Sequence, residues 1–551
     1  MRHIIDIPEL LELIFADVSV SECAKVLSTS RVVFNAAVAR VWNEVPHIRH
    51  LLSLIPGLQT LLEGERITPQ LPPFSGVGFS RFLIYSPHVK ALNISHAGEF
   101  VSIVHWNTLL MKAEEVPLLP SLASLHLDNG RRLVIDDEIL WIQAFSSTSL
   151  RKLTMYSPKT RSMAGDISFI ALSVILNHLK KASPSLEQLI VFPDRDSEQS
   201  NQSPLAHLLW EGPFYRHLTS LSSLSHLATN TNIFSPDGIL ALSTLPNLTS
   251  LDLASGHYTP HIKTFEGIAL PPGSFSALRH IALHFLSLAE IQEIWNMEAI
   301  VNKLSSLDIE FSVVPQPDGT YVVRPNFDGF LSGKIPLICA RSPCISNLHL
   351  GFGERYGEVT VEHCVTPVMV QNLALLLLQR ISIHDCLCTA LMNNTFSPTH
   401  FQVAQWVGMT ELRIPFSKFQ SLREISYLAA LPNLKSLAIS LGGLDLSTED
   451  VPTTEQANTR SEVLHTLELN MMDFKMSPSV DTLKDLARYF LDLWPHIWPV
   501  RCYEGERRNR PGLLANCRDI PSTRMLRYQT ERKSLAARVD ELNVYMSELR
   551  A

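Results

Sequence analysis

The densest group of side chains with ligand or nucleophile chemistry is His384-Asp385-Cys386-Leu387-Cys388. Thiolates and imidazoles hold zinc, but structural zinc sites space paired cysteines about two to four residues apart and need a second pair. On a strand Cys386 and Cys388 share one side, and no second pair accompanies them. Structural cysteines of the repeats, with Cys386 where the chain turns off the strand, account for them more simply than a metal. Gly351-Phe352-Gly353 opens like a phosphate-binding glycine loop, yet the next glycine is Gly357, one residue too late. The sequence has no HExxH, no Walker loop and no Gly-x-Ser-x-Gly elbow. No catalytic residue, metal or cofactor is therefore expected, and the chain reads as no enzyme. His96, His126, His280, His284 and His349 stand singly near predicted strands, as surface or satisfied side chains or facing a bound partner.

The elements that carry these residues repeat. Leu242-Ser-Thr-Leu245-Pro246-Asn247-Leu248-Thr-Ser-Leu251-Asp-Leu253 and Leu428-Ala-Ala-Leu431-Pro432-Asn433-Leu434-Lys-Ser-Leu437-Ala-Ile439 are versions of one unit. Its core, Leu-x-x-Leu-x-Leu, is the strand signature of a leucine-rich repeat. The core recurs from Val89, Leu122, Leu150, Leu186, Leu278, Leu304, Ile345, Leu378, Met409 and Leu464, with a degraded copy expected at Leu218. The average period is about 31 residues, near the upper end for such repeats.

Residues two apart on a strand face the same way, so Leu251 and Leu253 enter the core while Asp252 points out. The outward set is Asn93, His126, Thr154, Asp252, Ala282, Asp308, His349, Ser382, Arg413, Ala438 and Glu468. The candidate substrate face within it is His126, Thr154, Asp252, Asp308, His349, Arg413 and Glu468. It is a mixed polar strip suited to protein, not to a phosphate backbone, which favours a Lys/Arg track. Helical stretches are expected between strands at Asp136–Phe145, Ile167–Lys181, Pro236–Leu245, Leu288–Leu304, Val368–Leu378 and Thr482–Leu493. Such alternation stacks into a solenoid with a parallel concave sheet and outer helices, capped at both ends. Pro315-Gln-Pro317-Asp318-Gly319 marks a turn in one insertion, and Ser447–Arg460 forms a polar second one.

Ahead of the repeats, Pro8 suits the first turn of a helix. Leu10, Leu11, Ile14, Phe15 and Val18 then recur at three- and four-residue spacing. Ser21 is a plausible N-cap for a second helix carrying Ala24, Val26 and Leu27. A third helix presents Val33, Phe34, Ala37, Val38, Val41 and Trp42. Three short helices of this kind are marginal alone and call for a partner surface.

Ile7-Pro8-Glu9-Leu10-Leu11-Glu12-Leu13-Ile14-Phe15, closing on Val41-Trp42-Asn43-Glu44-Val45, resembles an F-box. Glu22-Cys23 and Phe34 depart from that family's usual second and third helices. With Glu44–Pro56 as the exit and Thr482–Ala487 before Trp494-Pro495 as a late-repeat helix, the chain resembles fungal F-box proteins with degenerate leucine-rich repeats. That resemblance implies the substrate-recognition subunit of a Skp–cullin–F-box ubiquitin ligase. Its partners are a Skp-type adaptor, a cullin scaffold and an unknown protein substrate. The implied adaptor-binding residues are Pro8, Leu10, Leu11, Ile14, Phe15, Val18, Val26, Leu27, Phe34, Val41 and Trp42.

The expected fold class is α/β. It comprises a three-helix F-box (1–50), linker helices or an N-terminal cap (51–85), a solenoid of about 13 irregular repeats (86–500), and a basic linker with an amphipathic helix (501–551). The chain of 551 residues is 46% hydrophobic and 18% charged, a globular composition. No apolar run reaches the roughly 20 residues of a membrane helix, and Met1-Arg2-His3 opens no signal peptide. Eight cysteines without CxxC spacing read as free thiols in a reducing compartment, cytoplasmic or nuclear. Matches to the glycosylation pattern at Asn93, Asn201, Asn247 and Asn393 are then coincidental. The net charge of −8 argues against nucleic acid as the main partner. From Arg501 to Arg538, however, ten Lys/Arg face four Asp/Glu, a solvated linker or a localisation or RNA-contacting patch. Leu535, Val539, Leu542, Met546 and Leu549 then form a single amphipathic helix. Two other functions fit the same pattern: a non-degradative repeat scaffold, and a nucleic-acid-associated protein using the basic tail.

Overall fold

A computed structural model describes residues 8–55, 79–95, 106–128, 135–155, 167, 169–193, 215–254, 270–315, 321–324, 333–353, 376–385, 406–414, 422–441, 461–470, 480–497, 499–502 and 537–550. The chain divides into two compact units, Met1–Leu278 and Arg279–Ala551.

The first unit opens with three helices, α1 (Pro8–Asp17), α2 (Val20–Val26) and α3 (Arg31–Trp42). Ser19 rather than Ser21 caps α2. Its hydroxyl accepts from the Glu22 N–H and its N–H donates to the Glu22 carboxylate, a capping box that only the spacing Ser19-to-Glu22 completes. Ser30 caps α3 by accepting from the Val33 N–H. Leu11 and Phe15 of α1 pack with Cys23, Ala36 and Ala37 as the module's core. The Arg40 guanidinium of α3 donates to the Val18 carbonyl at 2.8 Å, tying down the turn between α1 and α2.

The chain leaves α3 directly into a parallel sheet. Its strands are β1 (Glu44–Val45), β2 (Ala91–Ser95), β3 (Ser124–Asp128), β4 (Lys152–Met155), β5 (Gln188–Ile190), β6 (His226–Asn230) and β7 (Ser250–Ala254), paired in chain order. Leu92, Leu125, Leu153, Leu189, Leu227 and Leu251 align in one buried row, as the repeat pattern requires. The degraded copy at Leu218 is a correction: Leu218 lies in a 3-10 helix, Arg216–Ser220. The true core is Leu224-Ser-His-Leu227-Ala-Thr229, disguised because buried Thr229 stands where leucine is usual. Helices Trp106–Glu115, Ile135–Phe145 and Phe169–Ala182 pack on one another in the same order as the strands.

The second unit repeats the plan with β8 (His280–His284), β9 (Ser306–Pro315), β11 (Asn347–Gly353), β12 (Arg380–Asp385), β13 (Glu411–Ile414), β14 (Ser436–Ser440), β15 (Thr466–Asn470) and β16 (Val500–Cys502), again parallel in chain order. Between β9 and β11, β10 (Tyr321–Arg324) folds back antiparallel on β9, so the insertion carrying the predicted Pro-Asp-Gly turn is a hairpin. Ile497-x-x-Val500-x-Cys502 is a repeat core that the sequence reading passed over. The expected helix Leu288–Leu304 breaks at Met297 into Leu288–Asn296 and Glu298–Val301. Of the expected helix Val368–Leu378, residues 376–378 are non-helical and the rest lies outside the described residues, as do 56–78 and the insertion 447–460. Gly351 and Gly353 sit inside β11, not in a loop opening a helix, which removes the phosphate-loop reading; Gly357 lies outside the described residues.

One bonding pattern recurs at most described strand corners. There the carbonyl of the second residue in the Leu-x-x-Leu-x-Leu core accepts two successive N–H groups from the next repeat. Asn43 accepts from Lys90 and Ala91, Lys90 from Ala123 and Ser124, Arg279 from Ser305 and Ser306, and Ser305 from Ser346 and Asn347. Where the second residue is Ser or Thr, its hydroxyl adds a third bond to that carbonyl. Ser225 reaches Glu187, Thr249 reaches Ser225, Ser305 reaches Arg279, Ser346 reaches Ser305 and Thr410 reaches Gln379, all at 3.0–3.3 Å. One residue before the core, Ser149, Asn247 and Asn433 donate to the preceding repeat's Pro120, Ser222 and Val407 carbonyls.

Gly238 sits in the first turn of helix Pro236–Ser243, where a Cβ would collide with the Ile233 carbonyl. Gly238→Ala should lower stability by about 1–3 kcal/mol in urea unfolding, the usual cost of forced overpacking. The half-buried His178 on helix Phe169–Ala182 has its pKa held below the ordinary imidazole value by desolvation and by Lys181. Its unfolded form takes a proton first, so stability is full above the ordinary value and falls as the pH drops towards the folded one. His178→Gln should flatten that slope in unfolding curves run between neutral and mildly acidic pH.

Candidate functional site

The three-helix module presents two apolar arcs on α1. Leu11 and Phe15 form one and are buried at 5% and 9%. Leu10, Leu13 and Ile14 form the other, with 40%, 67% and 48% of their surface exposed, and Val20 at the start of α2 is exposed as well. Of the implied adaptor contacts whose side chains are described, Leu10 and Ile14 are the exposed ones. Leu11 and Phe15 are corrected to core positions, and Val18, Val26, Leu27 and Val41 pack against them, partly buried. Pro8 opens α1. Leu13 and Val20 are additions, missed because a single stripe was assigned to a helix that carries two.

Phe34 and Trp42 are half-buried and meet an aromatic side chain of this chain. Their rings lie 5.7 Å and 4.7 Å from that of Tyr85, at the end of helix Ser80–Tyr85. Together with the β1–β2 pairing and the Asn43 carbonyl, this fastens the module to the first full repeat.

The outward strand positions form continuous rows. In the first unit Asn93, His126, Thr154, Ile190, Ala228 and Asp252 are register neighbours. Its middle is closed: Thr154 is 7% exposed, and Phe192, Ala228 and Ala254 form a buried apolar cluster against which Ile190 packs. Thr154 is thereby corrected from a candidate contact to a buried position. Asp252 lies 3.5 Å from the His226 imidazole, and His126 is half-buried beside Thr154.

In the second unit Ala282, Asp308, His349, Ser382, Arg413, Ala438, Glu468 and Arg501 align the same way. Arg413 and Glu468 are two strands apart, yet their side chains meet at 2.6 Å above Ala438, which is 1% exposed. Strands stand ~4.8 Å apart, so only a small residue beneath lets two long side chains close over it. Arg413 also lies 3.5 Å from Glu411, which reaches Arg380 at 3.8 Å. At the other end of the face, the His284 Nδ1 and the Glu310 carboxylate are 2.7 Å apart, with His284 buried. Asp308 and His349 are half-buried between these pairs.

Among the described residues no cluster of His, Cys, Asp and Glu is arranged to hold a metal, and Cys386 and Cys388 lie outside them. Cys23, Cys339 and Cys344 are free thiols, and burial pushes Cys339 up to about 11. No described helix is long and apolar enough to cross a membrane. No family model matches the chain, and no curated protein matches it. Among solved structures the mouse RP105/MD-1 complex is similar at 14% identity and a TM-score of 0.37, over 80% of this chain and 67% of that one. The yeast Rad7 and Elc1 complex is similar at 12% identity and a TM-score of 0.29, over 73% of this chain and 84% of that one. Likeness this distant carries no argument. The α/β leucine-rich-repeat assignment rests on the chain's own strand register.

Tyr85→Ala removes both aromatic contacts of the module, each worth about 0.5–1.5 kcal/mol beyond burial. The amides of Lys90 and Ala91 should then exchange faster with solvent than in the unsubstituted chain, as read by hydrogen exchange.

Proposed function

We propose that the chain is a non-catalytic substrate receptor of a Skp–cullin–F-box type ubiquitin ligase. Its N-terminal helices dock a Skp-type adaptor and its repeats hold a protein substrate. The observation that carries this reading is the free arc of Leu10, Leu13 and Ile14 on α1, with Val20 also exposed at the start of α2. The module already has a complete core, so these four large apolar side chains are not needed to fold it. A contiguous exposed apolar patch on a small helical module is the usual mark of a protein interface. The repeats contribute the second half of the connector: long rows of paired charges and half-buried polar groups, without a Lys/Arg track for phosphates. Bringing substrate and ubiquitin-charged enzyme together raises their effective concentration, which needs no catalytic group in this chain.

The exposed arc decides which substitutions test docking. Leu11→Ala and Phe15→Ala would unfold the module and report on its stability, not on docking. Leu13→Lys combined with Ile14→Lys leaves the core intact. That variant should bind a purified Skp-type adaptor at least about tenfold more weakly, or about 1.4 kcal/mol, with an unchanged melting temperature. If the unsubstituted chain binds no adaptor, the ligase reading is wrong. The repeats then stand as a protein-interaction scaffold whose paired-charge rows are its working surface.

A further inference from the structure

The last strand of a parallel ladder has an open edge, and here a side chain occupies it. In a strand the N–H and C=O of one residue point the same way. On β16 those of Val500 face the edge. The Asn543 carboxamide meets both: its Oδ1 accepts from the Val500 N–H and its Nδ2 donates to the Val500 carbonyl, each at 2.9 Å. This is the pair of bonds that a further strand would supply. Asn543 belongs to a helix over residues 537–550, whose Val539, Leu542 and Met546 are buried at 3%, 0% and 0%. Arg550, at the end of that helix, donates to the carbonyls of Pro495 and Ile497. Lys484 of helix Val480–Leu493 lies 5.5 Å from the Tyr545 ring centre. The helix is thus held by an apolar seam, while among the described residues the edge at Val500 is closed by one amide.

We propose that Asn543 makes the C-terminal helix a surrogate strand, closing the sheet edge at Val500 against strand pairing with a second copy of the chain. An uncovered edge is a template for another chain's backbone. β16 offers such an edge at the end of a ladder whose other described strands are paired within their unit. At neutral pH, where a carboxyl is ionised and only accepts, a carboxamide is the side-chain group of this size that presents an acceptor and a donor side by side. A carboxylate keeps the acceptor for the N–H but sets a second oxygen against the carbonyl.

The test uses the full chain. Asn543→Asp should speed exchange of the Val500 amide by at least about tenfold (about 1.4 kcal/mol of opening) and produce concentration-dependent association in light scattering. Leu542→Glu, which breaks the apolar seam and lifts the helix, should associate more strongly still. Adding Val500→Pro to Leu542→Glu removes the edge donor and should return the chain to the mass of the unsubstituted protein. Variants that open the Val500 amide yet keep the unsubstituted mass overturn the proposal. So does association that survives Val500→Pro, because the bared apolar seam would then be the adhesive surface.

Discussion

The corner carbonyl of each repeat is the acceptor on which the rest of the structure depends. In most described repeats it takes two backbone N–H groups from the following repeat and, in several places, a Ser or Thr hydroxyl as well. That arrangement sets where each strand begins. It therefore sets which residues enter the core and which face out, because a slip of one residue would turn every side chain over. The rows of leucine, the paired charges over Ala438 and the closed patch at Ala228 all follow from corners held in register. A repeat cannot bury its apolar side alone, so the same bonds also hand stability from one repeat to the next.

The parts that were legible in the sequence are those governed by period. Leu-x-x-Leu-x-Leu placed the strands at Leu125, Leu251, Leu437 and Leu467, and it placed His126, Asp252 and Glu468 on the outward face. Two repeats escaped for one reason: the last core residue is Thr229 in one and Cys502 in the other, and neither looks like leucine. The corner hydroxyls of Ser225, Thr249, Ser305 and Thr410 were visible as residues but not as a class. Their partner is a backbone carbonyl some thirty residues back. Asn543 was beyond reach for the same reason, since nothing local to an amphipathic helix announces that one polar residue matches a strand edge.

The functional face was read less well, because exposure is a tertiary property. Leu10, Leu11, Ile14 and Phe15 have equivalent claims to a helical stripe. Only the position of α3 decides that Leu11 and Phe15 turn inward while Leu10 and Ile14 remain free. Thr154 follows the same logic in reverse, an outward strand residue buried in the closed centre of its row. Phe34 and Trp42 read in the sequence as contacts for a partner, and Tyr85 meets both rings from within the chain.

Trp42-Asn43-Glu44-Val45 is at once the end of a helix and the first rung of the sheet. The helix runs directly into β1, and the pairing of β1 with β2 ties the module to the first full repeat. Any molecule that occupies α1 in the native state alone then stabilises the neighbouring rungs by mass action, in proportion to the logarithm of its saturation. The first repeats thus become a thermometer for what is bound at the N-terminal helices: their melting rises with a ligand they never touch.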